Sequence, residues 1–276
     1  MQIPAHTDTP AIVFFDVDGT LIWHDPASNA AENVAHARPT PGVVKAFARM
    51  RECGHLPIIC TGRPLCLLQR ELLDLQPAGL VLSAGAALQI GGTMVRECVI
   101  EVPLLEQTVR RFAELGVEVI FEGSQMVAAF LPNGGDYTDI PGTIVCHTLD
   151  ELREKTPMRF SKFSYTNEML PRLARMGDFI AAHFGQYDLG LGTGECTLLG
   201  VDKGAGVRDA LEALGLDGAR TFAFGDSEND LPMLQAVETP VAMGNALASV
   251  KAVATYVTDS AEHDGVVTGL EHFGLI

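Results

Sequence analysis

The chain has 276 residues, 47% hydrophobic, 20% charged and 7% aromatic, the make-up of an ordinary folded protein with length for one large domain or two moderate ones. Its 19 basic against 35 acidic side chains give a net charge of −16, which argues against a basic surface for nucleic-acid phosphates. No apolar run approaches the roughly 20 residues of a membrane span, and the opening "MQIPAHTDTP" has neither a basic nor an apolar leader region, so a cytoplasmic protein is expected.

The first element is the apolar run "IVFF", which stops at Asp16 and is followed by a second acid, Asp18. "TPGVVKAFARMRECG" then reads as a helix capped by Thr40, with Pro41 in its first turn and Gly54 as its stop, and "LPIIC" as a second strand. "PLCLLQRELLDL" has leucines at helical spacing, and "AGLVLSAG" is a third apolar strand. Strands that are apolar throughout are buried on both faces, so these elements predict a parallel sheet covered by helices.

The texture changes near residue 87. "LLEQTVRRFAELG" is an amphipathic helix, "VEVIFEG", "QMVAAFL" and "RFSKFSYT" are half-polar strands of an antiparallel sheet with one covered face, and "EMLPRLARMGDFIAAHFG" reads as one further helix. β-α alternation resumes with "DKGAGVRDALEALG", "RTFAFGD", "NDLPMLQAV", "TPVAM" and a last helix in "HDGVVTGLEHFG", for which Asp264 is a candidate cap. The expected fold class is α/β, a Rossmann-like parallel core formed by 1–86 and 197–276, with an α+β cap inserted at 87–196.

Cysteines at 53, 60, 66, 98, 146 and 196 include no C-x-x-C pair and are expected to be reduced core residues. The eight histidines show no ligand spacing, and His24, nearest the acids, reads as a plain loop residue. "GLGTGE" and "GAG" lack the dinucleotide fingerprint, and no phosphate-loop motif occurs.

Ligands of parallel α/β sheets sit beyond the carboxyl ends of the strands. Asp16 ends one apolar run, Thr61 ends "PIIC" with Gly62 and Arg63 behind it, and Asp226 ends "FAFG" with Asn229 and Asp230 following; Lys203 opens a helix after "CTLLGV". Each has a local explanation as a turn, cap or solvated residue. Together they predict one rim lined by Asp16, Asp18, Asp226 and Asp230. Two like charges about 4 Å apart repel by roughly 4 kcal/mol at an effective dielectric of about 20, so four such acids call for a cation. Oxygen donors favour a hard one, Mg2+ over zinc. With Lys203 beside it, the rim then admits an anionic group, and Thr61, Lys203 and backbone N–H groups hold phosphoryl oxygens. Asp16 is the expected nucleophile, forming an aspartyl phosphate, and Asp18 the acid and base.

These residues carry a resemblance. "DVDGT", "TGR", "DKG" and "GDSENDLPM" are similar, in order and form, to the four motifs of the haloacid dehalogenase superfamily of phosphohydrolases. The large insert between the second and third motifs, with "VAMGNA" and the terminal "DGV", resembles its Cof-type branch, subclass IIB. The resemblance spans the whole chain. It implies Asp16 as nucleophile, Asp18 as acid/base, and Mg2+ held by the Asp16 side chain, the Asp18 carbonyl and Asp226, with Asp230 behind them. It further implies that Thr61 and Lys203 bind the phosphoryl group and that Asn229 positions Lys203 or the substrate; Gly62 and Arg63, beside Thr61, are expected among the substrate-binding residues. Ala84 stands where relatives commonly have Asn. The expected function is a Mg2+-dependent phosphatase of a small phosphorylated metabolite, a sugar phosphate or phosphorylated cofactor. The alternatives are a phosphomutase or phosphotransferase of the same superfamily, and a catalytically silent module that binds a phosphorylated ligand.

Overall fold

A computed structural model describes residues 10–24, 37–190, 192–216 and 218–276; the opening segment read for a leader lies outside the described residues. Among them the chain builds two sheets. The first has eight strands. In chain order its members are β1 (Ala11–Phe15), β2 (Leu56–Cys60), β3 (Gly79–Leu82), β4 (Ala87–Ile90) and β5 (Thr93–Glu97), and later β12 (Arg220–Gly225), β13 (Thr239–Ala242) and β14 (Tyr256–Val257). Their spatial order is β14-β13-β12-β1-β2-β3-β4-β5, parallel except at β3-β4 and β4-β5.

Every residue of β1 and β3 is buried, as the continuous apolar runs require of strands covered on both faces. Helix α1 (Pro41–Glu52) lays Val43, Ala46, Phe47 and Met50 on this sheet, and the Phe47 ring lies 5.0 Å from Phe15, which stacks on Phe224 at 5.2 Å. Thr40 caps α1 as expected, its hydroxyl accepting from the Val43 N–H at 3.1 Å.

The second sheet has six strands: β6 (Val119–Glu122), β7 (Val127–Phe130), β8 (Ile144–Cys146), β9 (Lys162–Thr166), β10 (Phe184–Gly190) and β11 (Thr193–Leu198), in the order β10-β11-β9-β6-β7-β8. Helix α3 (Val102–Leu115) buries Leu105, Val109 and Phe112 against it. The change of sheet falls after Glu97, not at 87, because β4 and β5 continue the first sheet as an antiparallel hairpin. At the other end β11 runs past residue 196 and stays in the second sheet to Leu198.

Two long helices expected from apolar spacing are broken. Residues 64–75 form a 3-10 turn at Leu65–Leu67 and one helical turn, α2 (Arg70–Leu73), because Leu68 and Gln69 are extended; Leu68, Leu72 and Leu75 still reach the core, so packing is met without a continuous helix. Residues 167–183 are interrupted at Gly177, whose φ of 59° and ψ of −136° no helix accommodates. Asp264 precedes the last helix, Gly265–His272, but makes no capping bond; it sits in the left-handed region and its carboxylate accepts from the Thr40 hydroxyl. All six cysteines are free, but Cys66 is exposed and Cys53 and Cys98 only half-buried, so the expected core placement holds for Cys60, Cys146 and Cys196.

Candidate active site

Strands β12, β1 and β2 are neighbours in parallel register, Phe224 beside Phe15 and Phe15 beside Ile59. The residues where these three strands stop, Asp226, Asp16 and Thr61, therefore stand side by side at one edge of the sheet. Asp16 stays in line through its own N–H, which donates to the Phe224 carbonyl at 3.0 Å. The next turn passes under Asp226. Gly19 has φ of +90°, and a Cβ there would lie 2.4 Å from Asp226 Oδ2, so only glycine lets the carboxylate approach. The Thr20 hydroxyl donates to Asp226 Oδ1 at 3.2 Å, and the Asn245 amide, from "VAMGNA", donates to the Gly19 carbonyl at 2.9 Å.

Lys203 arrives from the other direction as the first residue of α7 (Lys203–Leu214), the helix labelled after α4 (Leu149–Lys155), α5 (Leu170–Leu173) and α6 (Asp178–His183). Asp202 caps α7, accepting from the Ala205 N–H at 2.7 Å. The glycines of "DKGAG" let α7 pack closely. A Cβ on Gly206 would meet Val81 Cγ1 at 2.4 Å, and one on Gly204 would meet the Pro232 carbonyl at 2.4 Å. The Lys203 ammonium is thereby buried between Asp16 Oδ1 and Asp230 Oδ1, 2.6 Å from each. Burial opposes its charge, but the two carboxylates outweigh this and hold the ammonium protonated well above its usual range.

Asp230 braces the site. One oxygen accepts from Lys203, and the other accepts from the N–H groups of Asp226 at 2.9 Å and Ser227 at 3.0 Å. Asp16 and Asp226 have fewer donors among the described residues. Burial, then the nearby Asp230 carboxylate, pushes the Asp16 carboxyl up to about 7; burial and Asp16 push Asp226 up in the same direction. Ligand oxygens of Asp16, Asp226 and Asp230 lie within 4.8 Å of one another.

With all four carboxyls ionised the rim carries two more negative charges than Lys203 and Arg63 balance, the charge that a bound dication would offset. The donor set is all oxygen, which fits Mg2+ and offers zinc neither His nor Cys.

Thr61 is fully buried, and its hydroxyl accepts from the Arg63 N–H at 3.1 Å. The turn Ser83–Gly85 supports this loop, the Ser83 N–H donating to the Arg63 carbonyl and the Ala84 N–H to the Thr61 carbonyl, each at 3.0 Å. Ala84 holds φ of 55°, a conformation Asn tolerates better, and its role here is carried by its backbone.

Three sequence expectations meet a different arrangement. Arg63 is paired with Asp18, Nε to Oδ2 at 2.9 Å and Nη2 to Oδ1 at 2.5 Å, while Nη1 is buried with no acceptor among the described residues. His24, read as a plain loop residue, places Nε2 2.6 Å from Asp18 Oδ1. Burial works against the Asp18 charge, but Arg63 and His24 override it and hold the carboxyl well below the usual range. Asn229 does not reach Lys203 through any hydrogen bond among the described residues; its oxygen accepts from the Ser227 hydroxyl at 2.7 Å and its amide faces Glu195 of the second sheet at 3.5 Å. His24 had one signal in the sequence, its place six residues after Asp18 on the loop leaving β1.

A parallel sheet with an inserted second sheet, and a rim of acids around one buried lysine, form the frame that its relatives place in a class of hydrolases. The chain belongs to the haloacid dehalogenase-like hydrolase family, whose model matches residues 13–270. It is 27% identical over 272 residues to YkrA of Bacillus subtilis, named provisionally as a phosphatase, covering 96% of this chain and 98% of that one. It is 40% identical over 81 residues, 29% of this chain and 32% of the other, to 5-amino-6-(5-phospho-D-ribitylamino)uracil phosphatase YcsE of Bacillus subtilis. Among solved structures it is similar to the subclass IIB sugar phosphatase BT4131, with a TM-score of 0.78 and 23% identity over 96% of this chain and all of that one. The fold is that of subclass IIB, in which the second sheet is the cap. Among the described residues, no helix is long and apolar enough to cross a membrane.

Proposed function

We propose that the chain is a Mg2+-dependent phosphatase that takes the phosphoryl group of a small phosphorylated metabolite onto Asp16 and releases it to water. The observation that carries this reading is the Asp16 carboxylate at a strand end, its Oδ1 2.6 Å from a buried ammonium, with Thr61 and Asp226 on the flanking strands. A nucleophilic carboxylate needs a neighbouring cation to accept an anionic substrate, and Lys203 supplies it. Asp16 Oδ2 accepts no hydrogen bond among the described residues and is the oxygen that attacks phosphorus. Lys203 and the Thr61 hydroxyl then hold the phosphoryl oxygens, and Asp226 with Asp16 holds the metal. When bound, Mg2+ supplies a Lewis-acid clamp on a phosphoryl oxygen and cancels the charge of the acids.

Asp18 is the acid and base of the two half-reactions. In the arrangement seen, Arg63 and His24 keep it ionised, the form that takes a proton from the attacking water. An incoming phosphoryl group competes for Arg63, and an Asp18 freed of that pairing regains a proton to give to the leaving oxygen. The 81-residue match to a phosphatase of a ribityl phosphate, and the fold shared with a sugar phosphatase, support a sugar or sugar-alcohol phosphate as substrate. Phosphate release from p-nitrophenyl phosphate in Mg2+ tests the nucleophile: Asp16→Asn should abolish it while the far-ultraviolet spectrum stays unchanged. Undiminished turnover by that variant would refute the assignment.

A further inference from the structure

The cap sheet has two unlike faces. Phe121, Phe163 and Cys196 point into the helix-covered core, where the Phe112 and Phe163 rings meet at 5.1 Å. Because side chains alternate along a strand, Glu122, Lys162, Ser164 and Glu195 point the other way. Register sets Glu122 beside Lys162 and Ser164 beside Glu195. Lys162 Nζ lies 2.6 Å from Glu195 Oε2 and 3.2 Å from Glu122 Oε2, and the Ser164 hydroxyl donates to Glu122 Oε1 at 2.8 Å.

A polar sheet face ordinarily meets water. This one is closed off: Glu122 is 7%, Lys162 3% and Glu195 0% exposed. The rim of the first sheet lies against it. The Asn229 amide donates to Glu195 Oε1 at 3.5 Å, and a Cβ built on Gly62 would lie 3.6 Å from Glu195 Oε2 and 3.9 Å from Lys162 Nζ. Gly62 follows Thr61, so the charged patch roofs the phosphoryl site itself. Apolar residues would serve better if the face only had to close, since buried ion pairs lose more hydration than they regain.

We propose that Glu122, Lys162, Ser164 and Glu195 form the leaving-group subsite, which selects an uncharged, hydroxyl-bearing leaving group and rejects one carrying a second anionic group. Two carboxylates around one ammonium leave acceptors in excess and one negative charge over. Hydroxyl groups donate to those acceptors, whereas a second anion is repelled by them and by the acids below. The inference rests on the phosphatase reading of the same site.

The test compares kcat/KM for sorbitol 6-phosphate and 6-phosphogluconate, which share a six-carbon open chain and differ at C1, hydroxymethyl against carboxylate. The native enzyme should prefer the sorbitol ester by about 100-fold or more, in keeping with sites built to hydrogen-bond a hydroxyl. Glu122→Gln and Glu195→Gln should each lower that ratio by about tenfold or more, because each removes repulsion as well as an acceptor. A native ratio near one, or a ratio unmoved in both variants, overturns the subsite; the native ratio does not depend on how the variants fold. Hydrolysis of p-nitrophenyl phosphate with none of either six-carbon ester overturns the subsite and leaves the phosphatase reading standing. Failure on all three esters overturns both.

Discussion

At the scale of single residues, the site is a problem in charge. Lys203 is buried between two carboxylates, and everything near it depends on that ammonium. Lys203→Met should abolish phosphate release and destabilise the fold by about 3 to 5 kcal/mol, the cost of leaving buried partners uncompensated. Urea unfolding of the variant without metal measures this, and a loss below about 1 kcal/mol would contradict it. The residues of this centre were legible because each ends a strand or opens a helix: Asp16, Thr61, Asp226 and Lys203 were all visible as polar stops. The partners of Asp18 were not. Nothing in a spacing of six residues says that the loop carrying His24 folds back, and the guanidinium of Arg63 reaches Asp18 only because β1 and β2 are neighbours.

At the scale of elements, the placement of Lys203 is set by how closely α7 rides on β3. Gly206 sits where a methyl group would meet Val81 Cγ1 at 2.4 Å and Gly85 Cα at 2.9 Å. Gly206→Ala should therefore lift the helix, costing about 1 to 3 kcal/mol of stability and raising KM more than it lowers kcat, since Lys203 moves with the helix. Steady-state kinetics with urea unfolding checks both, and an unchanged KM would sink the coupling. Elements were read well where caps and apolar runs agreed, as at Thr40 and "IVFF". They were read poorly where leucine spacing stood alone: residues 64–75 bury Leu68, Leu72 and Leu75 with the chain extended at Leu68, so a helical pattern was met by a broken path. The hairpin of β4 and β5 was missed as part of the first sheet because its residues are half-polar, the texture of an edge and equally of a separate unit.

At the scale of the whole molecule, the crowded acids tie stability to pH. The native Asp16 carboxyl is raised to about 7 by burial and the nearby Asp230 carboxylate, and Asp226 shifts the same way, while the unfolded chain ionises near 4. The native state thus holds protons that the unfolded state has released, and its stability falls as pH rises from about 4 through 7. Asp18 acts oppositely but only below about 4, outside that window. Metal-free protein should melt at lower temperature at pH 8 than at pH 5.5, and one fixed Mg2+ concentration should stabilise more at pH 8, where the acids bind it more tightly; at about 100 times the pH 8 dissociation constant the gain there is roughly 2.7 kcal/mol. Equal stabilisation by that concentration at both pH values would sink the charge coupling. The two-sheet plan was legible from the switch between continuous and alternating apolar runs. That the polar face of the second sheet is buried over the first was not, because alternation gives a face its polarity and not its neighbour.

If Asp16 carries the phosphoryl group, as proposed, mass spectrometry of acid-quenched protein during turnover should find one phosphoryl mass increment on the peptide containing Asp16, lost on treatment with hydroxylamine. Phosphate release with the increment on another residue, or with none in a single turnover, would contradict that role.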